Sequence, residues 1–448
     1  MNFKNPTTAN EFLQVGVNFM NSKPPQYLAA SCVFRYLYQI VSSQTDRSKI
    51  SGYLVRCGIE LHDTSLINHV QQISLNDTSH YVQFARFMSN TNLHEKMRDS
   101  CISEAKKQLD FQATDETSDD VILVCAGGEK LMTQLYCNLK SLEVFQYDDT
   151  QWGSLQNIKI VVAHANEVTE SEIFKFKKCF KTLSIEFFNL CESELVTESN
   201  LTADTLKGFQ IKLAALVAIR ARRVLLMDCD IFWVQDPRHI IASCKRNEFD
   251  AHLFCDFWHF VKHRHEKSAS TSFLYSLHGI DYNISEFESG VLYFDREKAY
   301  TSVAILKHMV INYEYYFSLT YGDKDLYYLA LKSQNAKISI SDPPKMLGYL
   351  CQESNVFNSQ SMLHSFNSKS SHIHTTLHPI GDDGFDIPTH ICDDAFKIRV
   401  VQRRIKDTVV NTVGCDLADT IVLDTPNIYK HLYACALRDY SKNEMLLE

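Results

Sequence analysis

The sequence predicts an α/β protein, a sheet wrapped by helices, behind an all-helical amino-terminal region. Three observations carry this prediction. From Val121 onward, short β-branched runs alternate with stretches of helical spacing, the pattern of strands joined by helical crossovers. Residues 1–112 show apolar positions at helical spacing only. Between the two lies a polar, acidic stretch from Asp110 to Asp120, which reads as a linker with its core at 113–120.

In the helical region, Phe12, Val15, Phe19 and Met20 form a first apolar stripe. Pro24-Pro25 breaks the chain, since proline lacks the N–H a helix needs. Further helical stretches run over Tyr27–Val41, Ile50–Leu61, Tyr81–Met88 and Leu93–Leu109. Val15-Gly16-x-x-Phe19 is similar to the small-residue seam of a tetratricopeptide helix, but no 34-residue period follows. The prediction is a string of helical hairpins, a surface for a protein partner with no catalytic group of its own.

Val121-Ile122-Leu123-Val124 is the first strand and ends at Gly127-Gly128. Leu131–Leu142 is helical, Ile158–Ala163 is a second strand, and Glu170–Cys179 is a second helix. Leu206–Arg222 reads as a helix feeding the buried strand Val224–Met227, which stops at Asp228-Cys229-Asp230. Ile231-Phe232-Trp233 continues to Asp236-Pro237, and a short strand passes through Leu253-Phe254. His259–Ser272 reads as a polar, basic loop, and Val291–Phe294 as a strand after Glu288-Ser289-Gly290. Helices are predicted over Ala299–Met309 and Asp323–Leu331. Beyond Ile338–Ile340 the chain reads as loop-rich, and Leu417–Leu447 as helix. The predicted domains are thus 1–112, a sheet domain over 121–400, and a helical extension over 401–448.

Composition narrows the function. Over 448 residues, a 45% hydrophobic fraction with 22% charged side chains fits a globular chain with a large core. A net charge of −9 argues against nucleic acid as the main partner. None of the 14 cysteines stands in a C-x-x-C spacing, which removes support for zinc ribbons and thioredoxin-type sites. No apolar run approaches the ~18 residues of a membrane helix. Phe12–Met20, broken by Gln14 and Asn18, is a poor signal peptide, so the sequence by itself reads as cytoplasmic. Glycosylation sequons at Asn76, Asn200 and Asn283 are too few to place the chain in a secretory lumen.

The chemistry gathers at Asp228 and Asp230. Residues i and i+2 along a strand face the same way, so both carboxylates can meet one ligand. Open α/β sheets bind ligands outside the carboxyl ends of their strands. Hard oxygen donors suit Mg²⁺ or Mn²⁺, ions that usually bind through one or two carboxylates plus substrate phosphates. Gly127 and Gly128 would let backbone approach a nucleotide closely. Gly290 would do the same beside the Glu288 carboxylate, and Asp323 sits where a carboxylate caps a helix.

Five blocks then fall in order: Gly208-Phe209-Gln210-Ile211-Lys212, Val224-Leu225-Leu226-Met227-Asp228-Cys229-Asp230, Asp236-Pro237, Glu288-Ser289-Gly290-Val291 and Tyr321-Gly322-Asp323-Lys324-Asp325. With Val124-Cys125-Ala126-Gly127-Gly128, they resemble the fungal α-1,3-mannosyltransferase family of Golgi mannan and glycoprotein enzymes. The resemblance covers roughly residues 121–370. It implies a GT-A nucleotide-sugar fold, GDP-mannose as donor, a Mn²⁺ or Mg²⁺ cofactor, retention at the anomeric carbon, a glycan or glycoprotein acceptor, and Golgi residence. It also implies that Asp228 contacts nucleotide or metal, that Asp230 binds metal, and that Lys212 offsets charge on the diphosphate. It implies further that Gly290 lets acceptor or sugar come close to backbone, that Glu288 hydrogen-bonds a sugar hydroxyl or stabilises oxocarbenium-like charge, and that Asp323 holds an acceptor hydroxyl. A late histidine is implied as third metal ligand. His364, in Met362-Leu363-His364-Ser365, is the leading candidate, and His372, His374 and His378 compete with it. Two alternatives stay open: a UDP-sugar enzyme of the same fold, and a non-catalytic helical adaptor carrying a degenerate transferase domain.

Overall fold

The computed structural model describes residues 8–22, 25–61, 90–106, 120–143, 158–180, 182–259, 268–281, 284–320, 322–351, 356–375, 390–392, 399–405, 408–416 and 421–422, with the single positions 145 and 155. The chain divides into two compact units. One comprises Met1–Ile102 with Arg264–Tyr282, and the other Ser103–His263 with Asn283–Glu448.

The first unit is helical. Helix Ala9–Met20 starts with a capping box, in which Thr8 and Glu11 satisfy each other's backbone N–H. It packs on Tyr27–Ile40, which packs on Gln44–Glu60. Gly16 lies at the seam: a Cβ there would come 2.5 Å from the Phe34 ring, so only glycine allows the helices this close. Phe34 in turn stacks on Tyr53 with centroids 4.8 Å apart. Helix Ser268–Leu277 also belongs to this unit and packs against Gln44–Glu60. The sequence reading placed its first residues in a loop, because Ser268-Ala269-Ser270-Thr271-Ser272 gives no apolar stripe until Phe273. The helix expected over Tyr81–Met88 lies outside the described residues.

The second unit is the expected α/β layer. Its seven-stranded sheet contains β1 (Asp120–Cys125), β2 (Lys159–His164), β3 (Ile185–Asn189), β4 (Arg223–Met227), β6 (Ala251–His259), β7 (Ser285–Asp295) and β8 (Ile338–Ile340), in the order β3-β2-β1-β4-β7-β6-β8. The first four run parallel, and β7 is antiparallel to both β4 and β6, so the sheet is mixed. β1 and β4 are buried almost throughout, as strands covered on both faces must be, and this is why they read as unbroken apolar runs. The chain leaves β1 towards β2 and β3, whereas β4 lies on its other side. The carboxyl ends of β1 and β4 therefore flank the point where the connections diverge, the usual ligand crevice of such sheets.

A second sheet holds β5 (Ile231–Trp233), β9 (Lys345–Cys351), β10 (Val356–Phe366), β11 (Lys369–His374), β12 (His390–Cys392), β13 (Arg399–Ile405), β14 (Thr408–Asp416) and β15 (Ile421–Val422). Two expectations are corrected here. The region after Ile340, expected to be loop-rich, contributes strands. The segment 401–448, expected to be helical, carries the rest of β13, β14 and β15 among its described residues. The pairing is long-range, and strands such as β10 carry Ser359, Ser361, His364 and Ser365, which hides their character from a hydropathy pattern. A third correction concerns the helix predicted over Leu206–Arg222. It spans only Gln210–Ala218, because Gly208 turns with φ +65° before it and Ile219 is extended after it.

Candidate active site

Strand β4 runs out at Met227, and the chain then leaves the sheet through Asp228-Cys229-Asp230. Asp228 is tied down by its backbone: its N–H donates to Gly290 O (2.7 Å), and its carbonyl accepts from Asn138 Nδ2 (3.0 Å). Asp230 continues directly into β5, which pairs antiparallel with β11, setting Ile231 opposite His374. Thr375 closes the junction, with its N–H and its hydroxyl both donating to Asp230 O (3.1 and 2.9 Å). The crossover between the two sheets therefore brings His374 to the acidic pair.

His374 Nε2 lies 3.3 Å from Asp230 Oδ1 and 3.8 Å from Asp228 Oδ2. One donor atom from each of Asp228, Asp230 and His374 falls within 4.8 Å of the others. Of the competing histidines, it is His374 and not His364 that stands beside the pair. His364 and His372 face each other across β10 and β11, with rings stacked at 4.8 Å. His364 Nε2 lies 3.6 Å from Glu288 Oε1, in a second grouping of Glu288, His364 and His374. His378 lies outside the described residues.

Lys212 comes up from the helix behind. Its Nζ sits 2.9 Å from Asp228 Oδ1, 3.3 Å from Asp323 Oδ2, 2.9 Å from Ser289 Oγ and 3.2 Å from Ser289 O. Its charge is thus spent on holding Asp228 and Asp323. Asp323 occupies the N-cap position of helix Lys324–Ser333 without making a capping bond. Its oxygens instead accept from Ser289 Oγ (2.9 Å) and Tyr327 OH (3.1 Å). Asp236 is engaged with Arg238, an ion pair of 2.7 Å at the start of helix Arg238–Arg246. Gly128 adopts φ +71°, while Gly127 packs so closely on Glu167 that a Cβ would meet its carboxyl carbon at 2.9 Å.

The electrostatics follow from burial. Burial pushes the Asp228 carboxyl up to about 7, against the pull of Lys212. Burial also works against ionised Asp230, but His374 outweighs it and leaves that carboxyl below its ordinary value. Burial alone would discharge His374. Asp230 and Glu288 overcome this and hold the ring protonated well above its usual range. Carboxylates on both sides thus favour positive charge at this spot. Two carboxylate oxygens and one imidazole nitrogen at such spacings suit a divalent ion such as Mn²⁺, so the residues fit the metal implied for the site.

Three contributors are absent from the sequence reading: Thr375, Tyr327 and Asn138, of which the first two carry no sequence signal. Asn138 could have been found, since it is a polar residue enclosed by Leu135, Leu139 and Leu142 in the apolar stripe of helix Gly128–Glu143.

Gly290 is the narrowest point of the site. A Cβ there would lie 2.5 Å from the His374 ring and 2.5 Å from Glu288 Oε2. Gly290→Ala is expected to destabilise the fold by about 1–3 kcal/mol, the cost of overpacking, and to weaken Mn²⁺ binding by displacing His374. Urea melts and Mn²⁺ titration check both. A variant with wild-type stability and Mn²⁺ affinity would show that the ring moves aside freely.

No family model matches the chain, and no curated protein matches it. Solved structures similar to it include mouse xyloside xylosyltransferase 1 in its apo form, 12% identical over 50% of this chain and 85% of that one, with a TM-score of 0.36. Core-mannan synthase A from Aspergillus fumigatus, in its Mn/GDP form, is 12% identical over 53% and 75%, with a TM-score of 0.34. A mannosyltransferase from Pyrobaculum calidifontis, in complex with GDP-Man and Mn²⁺, is 12% identical over 58% and 66%, with a TM-score of 0.28. Likeness at this level carries no conclusion about chemistry. No helix among the described residues is long and apolar enough to cross a membrane.

Proposed function

We propose that this protein is a metal-dependent, retaining glycosyltransferase that moves mannose from GDP-mannose to a glycan or glycoprotein. The observation that carries the reading is the cluster of Asp228, Asp230 and His374 at the carboxyl end of β4, beside the divergence between β1 and β4. The choice of mannose and GDP rests on the sequence blocks alone. Asp228, Asp230 and His374 would hold Mn²⁺ or Mg²⁺, which when bound supplies Lewis-acid stabilisation of the departing diphosphate. Lys212 pulls the Asp228 carboxyl towards its ionised form against burial and orients it. Gly128, with open space beside it, gives a nucleotide close approach to backbone, whereas the space beside Gly127 is filled by Glu167 and that beside Gly290 by His374 and Glu288. In the transfer, the bond from the sugar's anomeric carbon to the diphosphate oxygen breaks. The acceptor oxygen bonds to the same face of that carbon, and its proton passes to the departing phosphate oxygen.

The test is thermal stabilisation by nucleotides in the presence of Mn²⁺, followed by donor hydrolysis and transfer. GDP at one hundred times its Kd should stabilise the protein by about 2.7 kcal/mol through mass action. Stabilisation by UDP and not GDP would favour the same chemistry with a UDP-sugar. No response to either nucleotide, with no donor turnover, would leave the adaptor reading in possession.

A further inference from the structure

We infer that Glu288 is the positioning residue for His374, fixing which ring nitrogen faces the metal, and that it does not itself meet the sugar. This deepens the proposed function and rests on its assignment of Asp228, Asp230 and His374 as metal ligands.

Glu288 is enclosed by the chain's own groups, with Oε2 accepting a backbone N–H and Oε1 buried without a hydrogen bond. The residue is 4% exposed. Its Oε2 accepts the Gly290 N–H at 2.6 Å and lies 2.7 Å from His374 Nδ1. Its Oε1 faces His364 Nε2 at 3.6 Å and His372 Nε2 at 3.9 Å. Three histidines and a backbone amide thus surround this carboxylate, and a sugar hydroxyl would have to displace one of them.

The two nitrogens of His374 point at opposite carboxylate groups. Nδ1 faces Glu288, and Nε2 faces Asp230 and Asp228. A neutral imidazole has one N–H and one lone pair, and only the lone pair can bind a cation. With the proton on Nδ1, which lies 2.7 Å from Glu288 Oε2 and needs a small turn of the ring to align with it, the lone pair on Nε2 faces the acidic pair. With the proton on Nε2, the ring would present hydrogen to the metal. A carboxylate on the far nitrogen is the usual device for selecting the useful form. The seat for this arrangement is built in. Pairing of β5 with β11 sets the ring's place along the strand, and the missing Cβ of Gly290 makes room for it.

The experiment is Mn²⁺ titration by paramagnetic resonance on the full chain, wild type against Glu288→Gln, with kcat measured across Mn²⁺ concentrations. The Mn²⁺ Kd should rise about 10- to 100-fold, and kcat should recover at saturating Mn²⁺ with the donor KM unchanged. Unchanged Mn²⁺ affinity, or a loss of kcat that Mn²⁺ cannot restore, would overturn the inference and return Glu288 to the reacting sugar. So would two metal equivalents in wild type with one lost in the variant, since Glu288 would then be a ligand of a second ion with His364. Should Glu288→Gln not fold, ¹⁵N-histidine spectra of the wild type loaded with diamagnetic Cd²⁺ decide it. A proton on His374 Nδ1 supports the inference, and a proton on Nε2 overturns it. If the wild type binds no divalent ion at all, the functional reading fails along with this one. If it binds and the variant binds equally well, only this inference fails.

Discussion

Asp230→Asn is expected to abolish Mn²⁺ binding at micromolar metal and to lower kcat/KM by about a thousandfold. A metal contributes several kcal/mol of charge stabilisation in such a transfer, and each 1.36 kcal/mol is a factor of ten. Asp230 is a sharper test than Asp228. The Asp228 carboxylate already carries the Lys212 ion pair at 2.9 Å, so changing it disturbs the interior as well as the site. Asp230's side chain faces His374, and its backbone is held independently by Thr375. Asn keeps the shape and removes the charge. Neutralising Asp230 relieves repulsion on the Asp228 carboxyl but also removes the first partner that holds buried His374 protonated. The metal-free protein should therefore melt somewhat below wild type, by less than for a buried pair with no second partner, because Glu288 still faces the ring. Mn²⁺ titration, melting and GDP-mannose hydrolysis measured on one preparation separate these effects. A variant that retains both Mn²⁺ binding and turnover would remove the acidic pair from the mechanism.

Asp228 and Asp230 were legible because every part of their signal is local: a β-branched run, its abrupt end, and two carboxylates at the spacing that puts them on one side. Glu288-Ser289-Gly290 was legible for the same reason, as a polar triplet just before the apolar run Val291–Phe294, although β7 begins at Ser285 and carries the triplet within the strand. His374 was not separable from His364. The decision rests on β5 leaving one sheet for another and pairing with β11 about 140 positions away, and no local pattern encodes that. The partners of Lys212 were hidden in a similar way. The family resemblance marked Lys212 as a cation for the diphosphate, but Asp323 and Ser289 reach it only through the packing of a later helix and of β7 on β4. The second sheet was missed because its strands bury serine and histidine, whose polarity mimics loop. Local chemistry thus marked where the site lies, and long-range pairing chose which of the marked groups meet.

Lys212→Met is expected to be the most damaging single change to stability. The lysine side chain is 8% exposed, and it lies against Asp228 (24% exposed) and Asp323 (2%). Methionine fills nearly the same volume, so packing is kept and the charge alone is lost. Removing one partner from a buried ion pair costs about 3–5 kcal/mol, because the remaining charge is left without compensation. Here two carboxylates are left. Burial already lifts the Asp228 carboxyl to about 7 with Lys212 pulling it down, so loss of the lysine raises it further. A carboxyl raised above its unfolded value destabilises most at pH above its folded pKa. The Asp228 share of the deficit should therefore shrink as pH falls from above 7, where the variant's carboxyl takes up its proton first, and should be gone below about 7, where the wild-type carboxyl is protonated as well. Asp323→Asn in the Lys212→Met background should restore part of the loss, since the uncompensated charge is gone and the amide oxygen can still accept from one of the Ser289 and Tyr327 hydroxyls, while the other hydroxyl turns to accept from the amide NH2. A coupling of about 0.5–3 kcal/mol between the two positions is expected from a double-mutant cycle in urea. Saturating Mn²⁺ should recover a further share, because a cation between Asp228 and Asp230 replaces some of the missing positive charge. Additive effects at the two positions, with no response to pH or Mn²⁺, would mean that Lys212 stabilises by packing alone and that its charge neither holds Asp228 nor prepares it for a metal.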